Sequence, residues 1–259
     1  MSRATRRDPV VGAESQQGSV PYLNRPGGSL RLLAMESPWT SLPLLPPYVL
    51  EDDEPFVSAW NGGRGAERER VRLRLEVLPE PFAGQRDAPL VVLGRNPGFV
   101  DATPSECAPS ERAAAIRAAL SDDADGHVHH YLTDAWAGTS GARYWLRCLR
   151  QVGEHAEVSH EELARRVLAV EFHGYHSEDW AQLPVTLPSQ WFGFDLVKSA
   201  IARGAVIVVT RGEKDWDVAV PGLRRYRQRF ATNTPRSAVI SPRNLPPGAF
   251  ERVVGAVRQ

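Results

Sequence analysis

The decapeptide Pro89-Leu-Val-Val-Leu-Gly-Arg-Asn-Pro-Gly98 decides the fold. Its first half is a short, continuous and β-branched run, which is typical of a strand in a parallel sheet covered by helices on both faces. Its second half predicts a turn, because two glycines permit backbone angles that other residues avoid and Pro97 stiffens the chain. The decapeptide therefore predicts a buried strand that ends in a polar loop, Gly94 to Gly98, which we call the Asn96 loop.

Three further apolar runs predict strands of the same sheet, at residues 166–171, 205–210 and 237–241. Helical patterns, among them a serine cap at Ser110, the helical spacing of Trp145, Leu146 and Leu149, and a terminating Gly204, predict helices at residues 110–120, 142–152, 160–166, 189–203, 223–230 and 249–257. Strands that alternate with helices favour a doubly wound sheet. The predicted fold class is therefore α/β, with three α/β/α layers around a central, mostly parallel sheet.

The 259 residues divide by composition into three parts. Residues 1–35 are polar and lack periodicity, so we expect a disordered extension. Residues 36–88 are rich in proline and aromatic residues, which excludes a long helix and predicts an ordered arm that packs on the core. Residues 89–259 hold the four predicted strands and form the predicted α/β domain.

Composition excludes several classes of protein. Lys+Arg and Asp+Glu both number 31, and this balance argues against a histone-like nucleic-acid binder while leaving room for a local basic groove. The two cysteines lack metal-ligand spacing, and a reducing compartment fits them. No apolar run approaches the roughly 20 residues that span a bilayer. We therefore expect a soluble, cytoplasmic monomer without membrane contact.

Candidate functional residues follow the predicted strands, because ligands of open α/β sheets bind at the carboxyl ends of strands. They are Asn96, Phe99 and Asp101 after the first strand, Glu171, His173, Tyr175 and His176 after the second, Arg211 after the third, and Ser241, Arg243 and Asn244 after the fourth. Histidine suits acid–base chemistry near neutral pH, and arginine suits phosphate groups.

A metal site is the first alternative use of these histidines. His173 and His176 supply two ligands, whereas a zinc site needs three or four. The remaining ligands would have to come from the distant His127, His129 and His130, and we expect that segment to be a surface connection. We therefore expect no metal.

The Asn96 loop resembles the Gly-x-Asn-Pro-Gly motif of the mismatch-specific thymine/uracil branch of the uracil-DNA glycosylase superfamily. The four strand-end motifs also occur in the order of that superfamily, over roughly residues 89–257. The resemblance implies a divergent bacterial DNA glycosylase with a uracil-DNA-glycosylase-like fold, whose partner is DNA and which uses no cofactor. Such an enzyme flips a nucleotide out of the stack and hydrolyses its N-glycosidic bond.

The resemblance also implies roles for individual residues. Asn96 positions the attacking water, Phe99 stacks on the flipped base, residues 171–177 read the base edge, and the loop at Ser241 enters the minor groove. The implied catalytic residues are Asn96, Asp101 and His176, with Glu171 as an alternative general base. The implied base pocket comprises Gly94, Pro97, Phe99, Glu171, His173 and Tyr175. The implied DNA contacts are Arg95, Arg211, Ser241, Arg243 and Asn244.

Two departures from the superfamily bear on the substrate. Ser241 stands where the superfamily carries the histidine that stabilises the leaving base, and the asparagine that reads uracil has no counterpart near Glu171. We therefore expect a modified base rather than uracil. Bacteria meet such bases mainly in phage DNA, so an antiviral role is the matching expectation.

Two alternatives belong to other classes of protein. One is a non-catalytic nucleic-acid sensor that keeps the fold and binds DNA without producing abasic sites. The other is an unrelated α/β nucleotide hydrolase that uses His173, His176 and Glu171. The sequence has neither a P-loop nor a Gly-x-Gly-x-x-Gly motif, so we expect no dinucleotide cofactor.

Overall fold

The computed structural model of the chain describes residues 36–121, 128–234 and 236–258, so the predicted extension at residues 1–35 lies outside the described residues. The strands are β1 (Phe82–Ala83), β2 (Leu90–Leu93), β3 (Val167–Val170), β4 (Val206–Val209) and β5 (Arg229–Ala231). The α-helices are α1 (Glu54–Gly62), α2 (Arg64–Glu67), α3 (Thr103–Cys107), α4 (Ser110–Leu120), α5 (Ser140–Ala156), α6 (His160–Arg166), α7 (Gln190–Ala202), α8 (Glu213–Ala219) and α9 (Ala249–Arg258). None of these described helices is long and apolar enough to cross a membrane.

The five strands form one mixed sheet in the order β1-β3-β2-β4-β5. β2 pairs in parallel with β3 and β4, and β4 with β5, whereas β1 runs antiparallel to β3. Every residue of β2, β3 and β4 is buried, which confirms the α/β class and the mostly parallel sheet. Leu93 is in register with both Val170 and Val209, so the three central strands end level at one edge of the sheet.

The predicted strand at residues 237–241 is wrong. Ala238 and Ile240 are buried, but the backbone of the segment bonds to partners outside the sheet. The N–H of Ile240 donates to the carbonyl of Cys148 in α5, and the side-chain amide of Asn244 donates to two carbonyl groups of the segment. The backbone groups that a strand would use are therefore already bonded, and the segment packs as an irregular loop.

The predicted helix at residues 223–230 is also wrong. A single 3₁₀ turn, Leu223–Arg225, follows Gly222, and the chain then extends into β5. The N–H of Ile207 donates to the carbonyl of Gln228, which draws this segment against the edge of β4. Pairing with the sheet thus overrides the helical spacing of the apolar residues.

The other predicted helices are confirmed, and local signals account for their ends. α4 and α6 have the predicted bounds. In α6, the Ser159 hydroxyl accepts from the Glu162 N–H while the Glu162 carboxylate accepts from the Ser159 N–H, which is a capping box. α7 ends just before Gly204, whose φ of 83° is left-handed, as a glycine at this position predicts.

Residues 36–88 contribute to the same core as the central strands. Trp39 and Val57 belong to its buried cluster, and β1 adds the antiparallel edge strand. Tyr175, in the loop after β3, is hydrogen-bonded to residues 36–88. Its hydroxyl donates to Asp53 Oδ2 at 2.8 Å and accepts from the Leu50 N–H at 3.2 Å. All three groups are buried, so few waters compete for these bonds.

We expect Tyr175→Phe to lower the free energy of unfolding by about 1–3 kcal/mol, because it leaves the buried Asp53 carboxyl without one of its donors. The midpoint of urea unfolding measures the loss. Tyr48→Phe, at a half-buried ring outside this network, is the matched control and should cost less. Equal midpoints for the Tyr175 variant and the parent chain would contradict a stabilising role for the hydrogen bonds of the Tyr175 hydroxyl.

Candidate functional site

A cavity of about 290 Å³ opens at the carboxyl ends of β2, β3 and β4. The Asn96 loop follows β2, Glu171 follows β3 and Arg211 follows β4, and all of them line this cavity. β3 and β4 lie on opposite sides of β2, so the strand order changes direction here. That is the position at which open α/β sheets bind ligands.

Six aromatic residues form part of the remaining wall. They come from β1, from the 3₁₀ turns before α5, from α5 and from the loop after β3, and they are Phe82, Tyr131, Trp136, Tyr144, Trp145 and Trp180. Aromatic faces of this kind suit a flat, unsaturated ring. The cavity can therefore receive a planar group about the size of a nucleobase.

The amide of Asn96 is held in one orientation. Its Nδ2 donates to the hydroxyl of Ser177 at 2.9 Å and to the carbonyls of Pro97 at 3.1 Å and Ser177 at 3.4 Å. Carbonyl oxygens only accept, so the NH2 group must face them. The Oδ1 atom is consequently the part of this side chain left to accept a hydrogen bond from a water or a ligand.

Gly94 is required for a reason that the sequence did not suggest. Neither Gly94 nor Gly98 has a positive φ, so the expectation of unusual backbone angles in the Asn96 loop is wrong. A Cβ at position 94 would instead lie 2.1 Å from Glu171 Oε2. The missing side chain therefore makes room for the Glu171 carboxyl between neighbouring strand ends.

We expect Gly94→Ala to lower the free energy of unfolding by about 1–3 kcal/mol, because Glu171 must move to admit the methyl group. Gly98→Ala is the matched control in the same loop, since a Cβ there meets no atom within 4 Å. Thermal unfolding of the two variants measures the difference. Equal losses at positions 94 and 98 would contradict the close approach of Glu171.

Glu171 is a titratable group with an unusual environment. Burial raises its pKa, the nearby Arg211 guanidinium lowers it and Glu80 raises it, so that the pKa is about 8. The Oε2 atom is buried and has no hydrogen-bond partner. A carboxyl group in this state can take up or release a proton near neutral pH.

Glu80 forms a second buried carboxylate in the cavity, and sequence reasoning missed it. Tyr131 donates its hydroxyl to Glu80 Oε1 at 2.8 Å, while His130 Nε2 and His176 Nε2 lie 3.7 and 3.8 Å from its oxygens. Burial alone would raise the pKa of Glu80, but these neighbours outweigh burial and lower it. The sequence does show one acidic residue within the apolar stretch before β1. A buried acid is rarely unpaired, so this residue could have been predicted to have polar partners.

The segment with His129 and His130 is not the surface connection that we expected. Both side chains are buried: His129 packs edge-on against Trp145, and His130 packs against Trp136. His127 lies outside the described residues. Among the residues that are described, no group of three or more His, Cys, Asp or Glu side chains is arranged to hold a metal ion.

The structure brings together seven of the residues singled out from the sequence and places others elsewhere. Gly94, Arg95, Asn96, Pro97, Glu171, His176 and Arg211 line the cavity. Asp101 is exposed and does not line it. Phe99 is buried beneath the guanidinium of Arg74, 4.8 Å from its ring centroid, and also lies outside the lining. Phe99 is therefore not among the aromatic side chains that line the cavity.

His173 and Tyr175 do not face the cavity either. The His173 ring stacks on Trp180 at 5.2 Å between centroids, and burial lowers its pKa to about 3, so the ring is neutral. The Tyr175 hydroxyl is bonded to Asp53 and to the Leu50 N–H, as described above. A nucleotide hydrolase that used both His173 and His176 would therefore have only His176 in the cavity.

The described residues of the loop after β5, 232–234 and 236–248, do not line the cavity. Asn244 donates its amide within this loop and accepts from the Thr234 N–H, so its side chain stabilises the loop. Ser241 is buried and Arg243 is exposed. Arg243 is therefore the one charged side chain of this predicted motif, and it is presented to solvent.

These contacts define what the cavity can do. It offers a fixed amide oxygen, a carboxyl with a pKa near 8, an aromatic wall and two arginines at its edge. No protein-family model and no curated protein matched the chain in our comparisons.

Proposed function

We propose that the chain is a DNA glycosylase of the uracil-DNA glycosylase superfamily, with the three-layer α/β/α arrangement that the resemblance implies. Its substrate is a modified or non-standard base. The observation that carries the proposal is the locked amide of Asn96, whose Oδ1 is left to hold a water at an aromatic-lined cavity. The Gly-x-Asn-Pro-Gly motif and the geometry of its asparagine thus agree with one function.

The size of the cavity supports a single base as ligand. Its volume of about 290 Å³ lies at the lower end of small-molecule sites, which run from roughly 300 to 1,000 Å³. The flipped base enters and stacks on the aromatic wall, and this contact offsets part of the few kcal/mol that extrusion from the duplex costs. A dinucleotide cofactor is too large for the same space.

The proposed hydrolysis uses two residues at adjacent strand ends. Asn96 Oδ1 holds the water below the sugar, and the Glu171 carboxylate takes its proton as the new bond from oxygen to C1′ forms. The bond from C1′ to the base nitrogen breaks, and its electron pair leaves with the base, which then takes a proton from solvent. Glu171 takes the role of general base in place of the exposed Asp101.

Arginines at the edge of the cavity support DNA as the partner. Arg95 lies over the Trp180 ring at 5.3 Å, and Arg211 follows β4 beside Glu171. Guanidinium groups suit the phosphates that flank a flipped nucleotide, and such contacts make binding weaken with salt. The exposed Arg243 is a third candidate for a phosphate contact. Modified bases of phage DNA are the proposed biological target.

The test is incubation of the full chain with oligonucleotides that carry uracil, mismatched thymine or a modified cytosine, followed by alkaline cleavage at abasic sites. Strand breaks with at least one of these bases support the proposal. Salt-sensitive binding without breaks would favour the non-catalytic sensor. Turnover of a free nucleotide without any action on DNA would favour an unrelated nucleotide hydrolase.

A further inference from the structure

Around Glu80, the polar groups of the cavity are mostly hydrogen-bond acceptors. Four carboxyl groups line the cavity, at Glu80, Glu106, Glu171 and Glu178, and Glu178 is already paired with Arg70 and Arg74. The hydroxyls beside them have already donated their hydrogens: Tyr131 donates to Glu80, Ser140 to Glu106, and Ser177 to a backbone carbonyl. The capacity that remains beside Glu80, Glu106 and Ser177 is therefore to accept hydrogen bonds, whereas the donors of the cavity are the Arg95 and Arg211 guanidinium groups and the protonated form of Glu171.

His176 adds an acceptor that is aimed at the same space. Its Nδ1 lies 2.9 Å from the carbonyl of Gly98, which only accepts, so Nδ1 carries the hydrogen. In the neutral ring Nε2 is then an acceptor. This atom is buried, has no hydrogen-bond partner and lies 3.8 Å from Glu80 Oε1, in a residue that is only 2% exposed.

Glu80 Oε1 and His176 Nε2 are two acceptors 3.8 Å apart, and a ligand group with two N–H hydrogens can donate to both. We infer that Glu80 and His176 recognise an exocyclic amino group, so that the site selects amino-bearing bases, such as modified cytosines, over bases with a carbonyl at that position. One N–H points to Glu80 Oε1 and the other to His176 Nε2. A carbonyl in the same place, as in uracil or thymine, faces both acceptors without a hydrogen between them. This inference rests on the proposed function, since it names the substrate class of the same cavity.

Two features reinforce the selection. The Tyr131 hydroxyl donates to Glu80 Oε1 at 2.8 Å and so stabilises the carboxylate form, and a charged acceptor binds an amino group more strongly than a neutral one. The site is also closed to water, because Glu80 and His176 are both buried. A base with a carbonyl at that position therefore places an acceptor against a buried carboxylate that only Tyr131 then supplies with a hydrogen bond, and this costs binding free energy.

The decisive comparison uses two single-stranded oligonucleotides that differ at one ring position. One carries 5-hydroxymethylcytosine, with an amino group at C4, and the other carries 5-hydroxymethyluracil, with a carbonyl there. We expect the parent chain to bind the first about tenfold more tightly, the usual scale of discrimination by a good paired contact. Equal affinities, a preference for the uracil form, or no binding of either would overturn the inference.

Two variants test whether Glu80 causes the preference for the amino-bearing base. Glu80→Gln brings an amide that can donate, so the preference should fall to near unity or reverse. Glu154→Gln changes an exposed carboxylate outside the cavity, so the preference should stay as in the parent chain. An unchanged preference in a folded Glu80→Gln protein would overturn the assignment. If that variant does not fold, the comparison in the parent chain still decides.

The same samples separate this inference from the proposed function. Alkaline cleavage after incubation reports base release from each oligonucleotide. Release from the uracil form alone would overturn the inference and support the glycosylase. Selective binding of the cytosine form without release would support the inference and overturn the glycosylase.

Discussion

Replacing Asn96 by alanine is expected to lower the rate of base release by at least about 100-fold, since the attacking water loses the group that fixes its position. Affinity for the same oligonucleotide should stay as in the parent chain, because the aromatic wall and the arginines are untouched. Single-turnover release measures the first quantity and fluorescence anisotropy the second.

Two controls sharpen the result for Asn96. Asn233→Ala removes an exposed asparagine outside the cavity and should release base at the parent rate. Ser177→Ala removes the hydroxyl that accepts from Asn96 Nδ2 and should give an intermediate loss, because the two carbonyl contacts of the amide remain. Parent-like turnover in the Asn96→Ala protein would exclude the proposed role of the loop.

Glu171→Gln is expected to lower base release by about 100- to 10,000-fold, the range for loss of a general base. The parent enzyme should also show a rate that rises with pH through about 8, because Glu171 must be deprotonated to accept the proton of water and its pKa is about 8. The glutamine variant lacks this titration. Its pH–rate profile should therefore be flat in that range.

The stability of this variant supplies an independent check. The folded-state pKa of Glu171 lies above the ordinary value of 4.5, so the folded chain binds the proton more tightly than the unfolded chain does. The parent therefore loses stability as pH rises from 4.5 to about 8. Glu171→Gln should escape this loss and exceed the parent at pH 8, with the gap closing toward pH 4.5. A variant with the parent's pH–rate profile, or one less stable at pH 8, would contradict the assigned state of Glu171.

The three central strands of the sheet could be predicted from the sequence, whereas the two edge strands could not. β2, β3 and β4 are continuous apolar runs that are buried on both faces, as a parallel sheet covered by helices requires, whereas the similar run at residues 237–241 is a loop. β1 has only two residues and β5 only three, and the residues of β5 are half-buried. Edge strands this short depend on pairing with a neighbour, and periodicity within one segment does not record such pairing.

The same distinction applies to the site. Asn96, Glu171 and Arg211 could be predicted because each follows a central strand directly, and parallel strands bring such residues to one edge. Glu80 lies just before an edge strand and reaches the cavity through tertiary packing, so sequence position gave no direct indication. Phe99 and Tyr175 are each only a few residues beyond a strand end, where the chain has already turned into the core.

The most direct test of the proposed function is mass spectrometry of the products after a single turnover. The full chain is mixed in excess with the 5-hydroxymethylcytosine oligonucleotide, and the Asn96→Ala protein serves as the blank. Hydrolysis of the N-glycosidic bond predicts one free base for each abasic strand in the parent sample, and neither product in the blank. An intact oligonucleotide that remains bound to the parent chain, or release of a nucleotide instead of a base, would contradict it.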